Sequence, residues 1–198
     1  ETRLHVRSAS VSIGIDRTAG VAYESVERPK MKISVSHEAP EKVKADLLVV
    51  PRFADDTKTP PSARALDQAS GGLLRDLYAS GDVSGKLYET SILYPRNGMP
   101  AARIMSFGLG ARKKFTADIA RSAMGKLARS LPKGNIVHLA SLLPGLPVNK
   151  LTAAELAGAS VEGLLLGLYR FTEYKTKPDD NQAAKPQRLT LLLPQKED

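Results

Sequence analysis

The run Leu47-Leu48-Val49-Val50 places four aliphatic side chains in succession. On an extended backbone, neighbouring side chains leave on opposite faces, so such a run needs apolar cover both above and below it. A strand inside a parallel or mainly parallel sheet, with helices on both faces, meets that need. The rest of the chain must therefore supply further strands to pair with this one and amphipathic helices to cover it.

Those elements follow in order. Met31–His37 alternates apolar and polar residues as a half-buried strand does, and Ala45–Phe53 contains the continuous run. Ser62–Ala79 sets Leu66, Ala69, Leu73 and Leu77 on one helical face, with Gly71-Gly72 interrupting it at a cost of ~1 kcal/mol per Gly relative to Ala. Lys86–Tyr94 and Ala102–Phe107 read as strands joined across Pro95-Arg96-Asn97-Gly98. Thr116 caps a helix to about Leu131 with Asp118 in its first turn, and Asn135–Leu139 is a short strand. Thr152-Ala153-Ala154-Glu155 forms a capping box that opens a helix through about Tyr174, with Gly163, Leu164 and Gly167 on its packed side. A polar loop, Lys175–Pro186, leads to a last strand, Arg188–Leu193. The order β-β-α-β-β-α-β-α-β predicts a layered α/β domain with a mixed, mainly parallel sheet flanked by helices.

The chain's 198 residues suffice for one compact domain of ordinary size. Residues 1–30 lack the periodicity of the rest and are expected to be an extension outside a fold spanning 31–194, with Met31 as the natural start. Strong hydrogen-exchange protection at Val11–Ile15 would contradict that expectation.

Several chemistries are excluded outright. With no Cys there is no disulfide, thiol nucleophile or thiolate metal site. No stretch of about 18 apolar residues is present to span a membrane, so a soluble, cytoplasmic protein is expected. No Gly-x-Ser-x-Gly elbow occurs, and His5, His37 and His138 are scattered. His138 lies in an apolar strand and reads as structural, while His37 reads as a surface residue at a strand end. Asp55-Asp56 and Asp179-Asp180 read as solvated turn residues rather than metal ligands, which need more converging groups. Phe107-Gly108-Leu109-Gly110 lies between strand and helix, where phosphate-cradling loops sit, but Lys113 takes the place of the third glycine. It reads as a glycine turn.

The net charge of +8 is concentrated in one segment: Arg103–Lys133 carries eight basic residues against the single acid Asp118. At 100° per residue Arg121, Lys126, Arg129 and Lys133 share an arc of roughly 140°, opposite an apolar face. With the preceding cluster Arg112-Lys113-Lys114, they form a candidate polyanion-binding face: Arg112, Lys113, Lys114, Arg121, Lys126 and Arg129. No aromatics interleave them to stack bases. A solvated basic face is the plainer reading of the same residues.

Several stretches together resemble one family. Met31-Lys32-Ile33-Ser34-Val35 and Ala45–Val50 resemble the opening of the amino-terminal domain of leucyl (cytosol) aminopeptidases. So do Leu66-Asp67 with Gly71-Gly72-Leu73-Leu74, the turn Gly81-Asp82-Val83-Ser84-Gly85-Lys86, and Phe107–Gly110 running into Lys113-Lys114-Phe115-Thr116. The most specific stretch is Glu162–Phe171 followed by Tyr174-Lys175-Thr176-Lys177. The resemblance covers about Met31 to Pro194 and implies a macro-domain-like fold. It implies a non-catalytic domain preceding a larger carboxy-terminal peptidase domain, to which residues 195–198 would begin the connection. In that second domain two divalent ions, manganese or zinc, would activate water against the amino-terminal peptide bond. The family's Asn-Thr-Asp-Ala-Glu-Gly-Arg marker is absent from the sequence, so no catalytic or metal-binding residue carries over, and no cofactor is expected in this chain. The resemblance further implies a homohexameric parent, with the isolated domain a monomer. Two alternatives remain: nucleic-acid or polyanion binding through the basic segment, and, from the macro-domain relation, ADP-ribose or another phosphate ligand near Gly108–Gly110.

Overall fold

A computed structural model describes residues 31–96, 98–132, 135–148, 150–169 and 186–194. Six strands form one sheet: β1 (Lys32–Ser36), β2 (Leu47–Arg52), β3 (Thr90–Leu93), β4 (Ile104–Gly108), β5 (His138–Ser141) and β6 (Arg188–Leu192). Their spatial order is β1-β6-β5-β2-β4-β3, and every neighbouring pair is parallel except β3 with β4. The expected mixed, mainly parallel α/β sheet is what forms. Helices α1 (Arg64–Ala69) and α2 (Leu73–Ala79) cover one face; α3 (Ala117–Arg129) and α4 (Ala153–Leu168) cover the other. No helix among the described residues is long and apolar enough to cross a membrane.

β2 shows why the aliphatic run matters. Leu47 and Val49 enter the core beneath α3 and α4, while Leu48 and Val50 enter the core beneath α1 and α2. All four are buried. One strand thus anchors two apolar layers.

Where local chemistry competes with the periodic pattern, the elements differ from expectation. The single helix expected over Ser62–Ala79 is two helices, because Gly71 and Gly72 adopt φ of 77° and 87°. The buried Asp67 carboxylate then accepts the Leu74 and Arg75 amides at 2.9 and 3.0 Å, capping α2 from the preceding helix. The break turns the second segment, so Leu74 is buried and Leu73 and Leu77 are only partly so. The strand expected over Asn135–Leu139 begins at His138, because Asp46 Oδ2 takes the Val137 and His138 amides at 2.9 and 2.8 Å. The strand expected over Lys86–Tyr94 shortens to Thr90–Leu93. Before it, Glu89 Oε2 accepts three successive amides, Ser84 (2.7 Å), Gly85 (2.7 Å) and Lys86 (3.2 Å). That ring of N–H donors closes the Gly81–Lys86 turn on a carboxylate from the same chain.

The caps read from sequence are present. Thr116 accepts the Ile119 amide, and Thr152 with Glu155 forms the complete capping box. The Thr152 amide and hydroxyl hold the Glu155 carboxyl below its usual range. α4 ends at Leu168, one residue short of Tyr169, which the expected helix included but which is extended; residues 170–174 of that helix lie outside the described residues. So do residues 1–30, 195–198, Lys133, and the expected loop apart from Pro186.

Helices α3 and α4 approach backbone to backbone. A Cβ on Gly163 would lie 2.0 Å from the Arg121 carbonyl oxygen, and one on Gly167 would lie 2.4 Å from that of Gly125. Only glycine permits this crossing.

Candidate functional site

The chain leaves β2 toward β4 on one side and returns to β5 on the other, so the loops after these strands diverge. In open α/β sheets that divergence, at the carboxyl ends of the strands, is where ligands bind. Here it leaves a crevice of about 550 Å³ whose walls include Asp55, Arg112, Lys113, Phe115, Lys150 and Leu151.

Arg112 fastens the crevice. Its Nη2 donates to Asp56 Oδ1 at 2.7 Å, its Nη1 to the Pro147 carbonyl at 3.2 Å, and its amide to Asp55 Oδ1 at 3.0 Å. The guanidinium carbon sits 4.1 Å from the centroid of the Phe53 ring. One residue after β4 therefore ties down the loops after β2 and β5. The Arg112 amide holds the Asp55 carboxyl below its ordinary value. Asp56 Oδ2 also accepts the Phe53 amide at 3.0 Å. Both aspartates are thus bonded members of the clasp: Asp55 is an exposed turn residue, as expected, whereas Asp56 is half-buried and departs from that reading. The only hint in the sequence is position: an acid pair after one strand and a basic triplet after its neighbour.

Beneath the clasp, on the α1–α2 side, Arg52 is 7% exposed and its guanidinium carbon lies 3.7 Å above the Tyr78 ring. Its Nη2 donates to the Asp56 carbonyl at 3.0 Å. Its Nε and Nη1 have no hydrogen-bond partner among the described residues, and the ring face is their compensating contact. The Tyr78 hydroxyl lies 3.3 Å from Ser106 Oγ, and burial pushes that phenol's pKa up.

The glycines of Phe107–Gly110 have steric roles. A Cβ on Gly108 would lie 1.9 Å from the Lys86 carbonyl oxygen, and Gly110 has φ of 72° with its amide bonded to the Gly85 carbonyl at 2.9 Å. His138 Nε2 lies 2.8 Å from Thr190 Oγ1 across two strands, with its pKa lowered by burial and then by Arg188. His37 Nδ1 lies 2.8 Å from the Pro194 carbonyl.

The six candidate basic residues do not make one surface. Arg112 is engaged in the crevice, with Lys113 and Lys114 exposed beside it. Arg121 bonds Glu162 Oε2 at 2.7 Å and is also paired with Asp118. Lys126 and Arg129 are exposed, with no carboxylate partner among the described residues. Along α3 they lie about 14 and 18 Å beyond its first residue, Ala117, at 1.5 Å of rise per residue, whereas Lys113 precedes the helix. Around them α3 and α4 form a second concavity, of about 420 Å³.

Comparison with known proteins matches this architecture. Residues 49–178, more than half of the chain, match the family described as the cytosol aminopeptidase family, N-terminal domain. A probable cytosol aminopeptidase of Roseiflexus castenholzii is 32% identical over 166 residues, covering 83% of this chain and 31% of that protein. The chain thus spans about a third of the length of that curated relative. In structure, a tomato leucine aminopeptidase superposes with a TM-score of 0.68 at 22% identity, over 84% of this chain and 33% of the other. The macrodomain of Mycobacterium tuberculosis DarG superposes with a TM-score of 0.56 at 11% identity, over 81% of this chain and 97% of that one. These two likenesses concern the fold, which is macro-domain-like. By its sequence match, the chain belongs to the cytosol aminopeptidase family, as its N-terminal domain.

Proposed function

We propose that this chain serves as the non-catalytic N-terminal domain of a two-metal aminopeptidase that releases amino acids from peptide amino-termini. The match over residues 49–178 to the family's N-terminal domain carries this reading. The stretches that resemble the family support it through what they do here: Asp67 caps a helix, Gly71-Gly72 breaks one, Glu89 closes a turn and Gly163 admits a helix crossing. All are devices of folding rather than of bond cleavage.

The donor set does not suit two divalent ions. Among the described residues no three His, Asp or Glu side chains are grouped to hold a metal. Asp46, Asp55, Asp56, Asp67, Glu89 and Glu155 are each bonded to backbone amides. This reading puts the metal chemistry in a carboxy-terminal peptidase domain of the parent polypeptide, and it expects a hexamer assembled through that domain and a monomer for this one alone. The test is turnover of a leucine-linked chromogenic substrate by this chain with added Mn²⁺ or Zn²⁺. None is expected, and metal-dependent turnover that copurifies with the chain would refute the reading. Sequencing the coding region past Asp198 should reveal a continuing frame that bears the metal ligands.

A second reading, polyanion binding, is favoured by the exposed cations Lys113, Lys114, Lys126 and Arg129, since Arg112 and Arg121 are already engaged. It expects duplex DNA binding that weakens steeply with salt and is lost when those four charges are reversed.

A further inference from the structure

The concavity between α3 and α4 shares no lining residue with the clasped crevice. Its floor is main chain, because Gly125, Gly163 and Gly167 bring no side chains there. Its α3 wall carries Ser122, Lys126 and Arg129, and its other walls carry Leu166 and Tyr88. Three observations set it apart from a solvated basic helix face.

The first is charge without a partner. Arg121 at one end is matched by Glu162 and Asp118, but Lys126 and Arg129 face no carboxylate among the described residues. Basic residues in the last turn do suit the helix dipole, which explains their presence on α3 but not the shape around them. The second is an apolar wall left in water. Leu166 is 68% exposed, as is Tyr169 one turn further on. The third is Tyr88, which adopts φ of 69°, a conformation that disfavours a bulky non-glycine residue. The hydroxyls of Tyr88 and Ser122 have no hydrogen-bond partner among the described residues.

Two cations without a carboxylate partner among the described residues, the hydroxyls of Ser122 and Tyr88 and an apolar wall around about 420 Å³ suit a small ligand that has an anionic head and an apolar body. A bare phosphodiester backbone answers the cations but gives Leu166 nothing to bury against. We propose that this groove binds a phosphate monoester bearing an aromatic or aliphatic group. Lys126 and Arg129 would take the phosphate oxygens, and Leu166 and Tyr88 the apolar part. The proposal shares two cations with the polyanion reading and otherwise stands apart from it.

The experiment follows backbone amide resonances of the full chain during titration with phenyl phosphate, with inorganic phosphate and phenol as separate arms. Ser122, Gly125, Gly163 and Gly167 should shift with phenyl phosphate and bind it more tightly than either half alone. Replacing both Lys126→Ala and Arg129→Ala should weaken binding by about tenfold or more, because charge-assisted hydrogen bonds to the phosphate are lost. Lys113→Ala with Lys114→Ala should leave it unchanged. Both pairs are exposed, so the variants keep the fold. Cosedimentation with phosphatidylcholine vesicles, with and without phosphatidic acid, separates a lipid source of the monoester from a soluble one. The proposal is overturned if neither phenyl phosphate nor phosphatidic acid vesicles engage the groove, or if the Lys126 and Arg129 variant binds as the parent does. Duplex DNA keeps the two readings distinguishable. DNA binding that depends on Lys113 and Lys114, with the groove silent, leaves the polyanion reading standing and removes this one. Phenyl phosphate binding without DNA binding does the reverse.

Discussion

The crevice at the strand ends and the groove between α3 and α4 differ in what fills them. The crevice at the strand ends sits where α/β sheets hold ligands, yet the chain has placed its own Arg112 there, stacked on Phe53 and bonded to Asp56 and Pro147. In the α3–α4 groove, Lys126 and Arg129 have no such partners among the described residues. A positive side chain satisfied by its own loops does structural work. One left beside an exposed leucine and a strained tyrosine is available to something else. Position in the fold points to the crevice, whereas charge left without a carboxylate among the described residues points to the groove.

The largest expected effect concerns the floor of the groove. Gly163→Ala puts a methyl group against the Arg121 carbonyl, and both neighbours are helix backbone that cannot yield separately. A loss of about 3 kcal/mol or more is expected in urea unfolding, in the upper range for overpacking. Gly158→Ala, in the same helix but with open space around its Cβ position, should instead stabilise by about 0.5–1 kcal/mol. Similar values for the two would mean that α3 and α4 do not cross as closely as described. Next comes the clasp. Arg112→Ala should cost about 1–3 kcal/mol through its lost hydrogen bonds and ring contact, whereas Lys126→Ala should stay within about 0.5 kcal/mol. Equal losses would break the distinction between a working clasp and a free cation. Calorimetry with ADP-ribose sharpens the same distinction: no heat is expected while Arg112 occupies the crevice.

The sequence announced the core more fully than the sites. The aliphatic run predicted a strand with two covered faces, and Thr116 and Thr152 predicted two helix starts, because burial and capping act over a few neighbouring residues. The helix break at Gly71-Gly72 was visible as an anomaly, but its partner Asp67 was not recognisable as a cap. The basic stripe shows the limit most clearly. A helical wheel groups Arg121, Lys126 and Arg129 correctly, but Glu162, which neutralises the first, comes from another helix 41 residues away. The clasp joins positions 56 and 112, and the groove needs Tyr88 beside α3. Such pairings depend on strand order, which local periodicity does not encode.

The smallest expected effect tests one bond of the clasp by acid. The Arg112 amide holds the Asp55 carboxyl below its ordinary value of 3.8, so just below that value the unfolded chain binds more protons at this site than the folded one. The bond's contribution is then fully present above the unfolded pKa and fades as pH falls through the lower, folded value. Asp55 is exposed, so the effect on overall stability is slight, and the amide itself is the better reporter. The Arg112 amide resonance should show an inflection below pH 3.8 that Asp55→Asn removes. The Arg129 amide, whose residue bonds no carboxylate among the described residues, should show none of comparable size. An Arg112 midpoint at or above 3.8 would mean that the carboxylate gains nothing from that amide in solution. The clasp would then rest on Asp56, Pro147 and Phe53 alone, and the loop after β2 would be held by its second aspartate rather than by the pair.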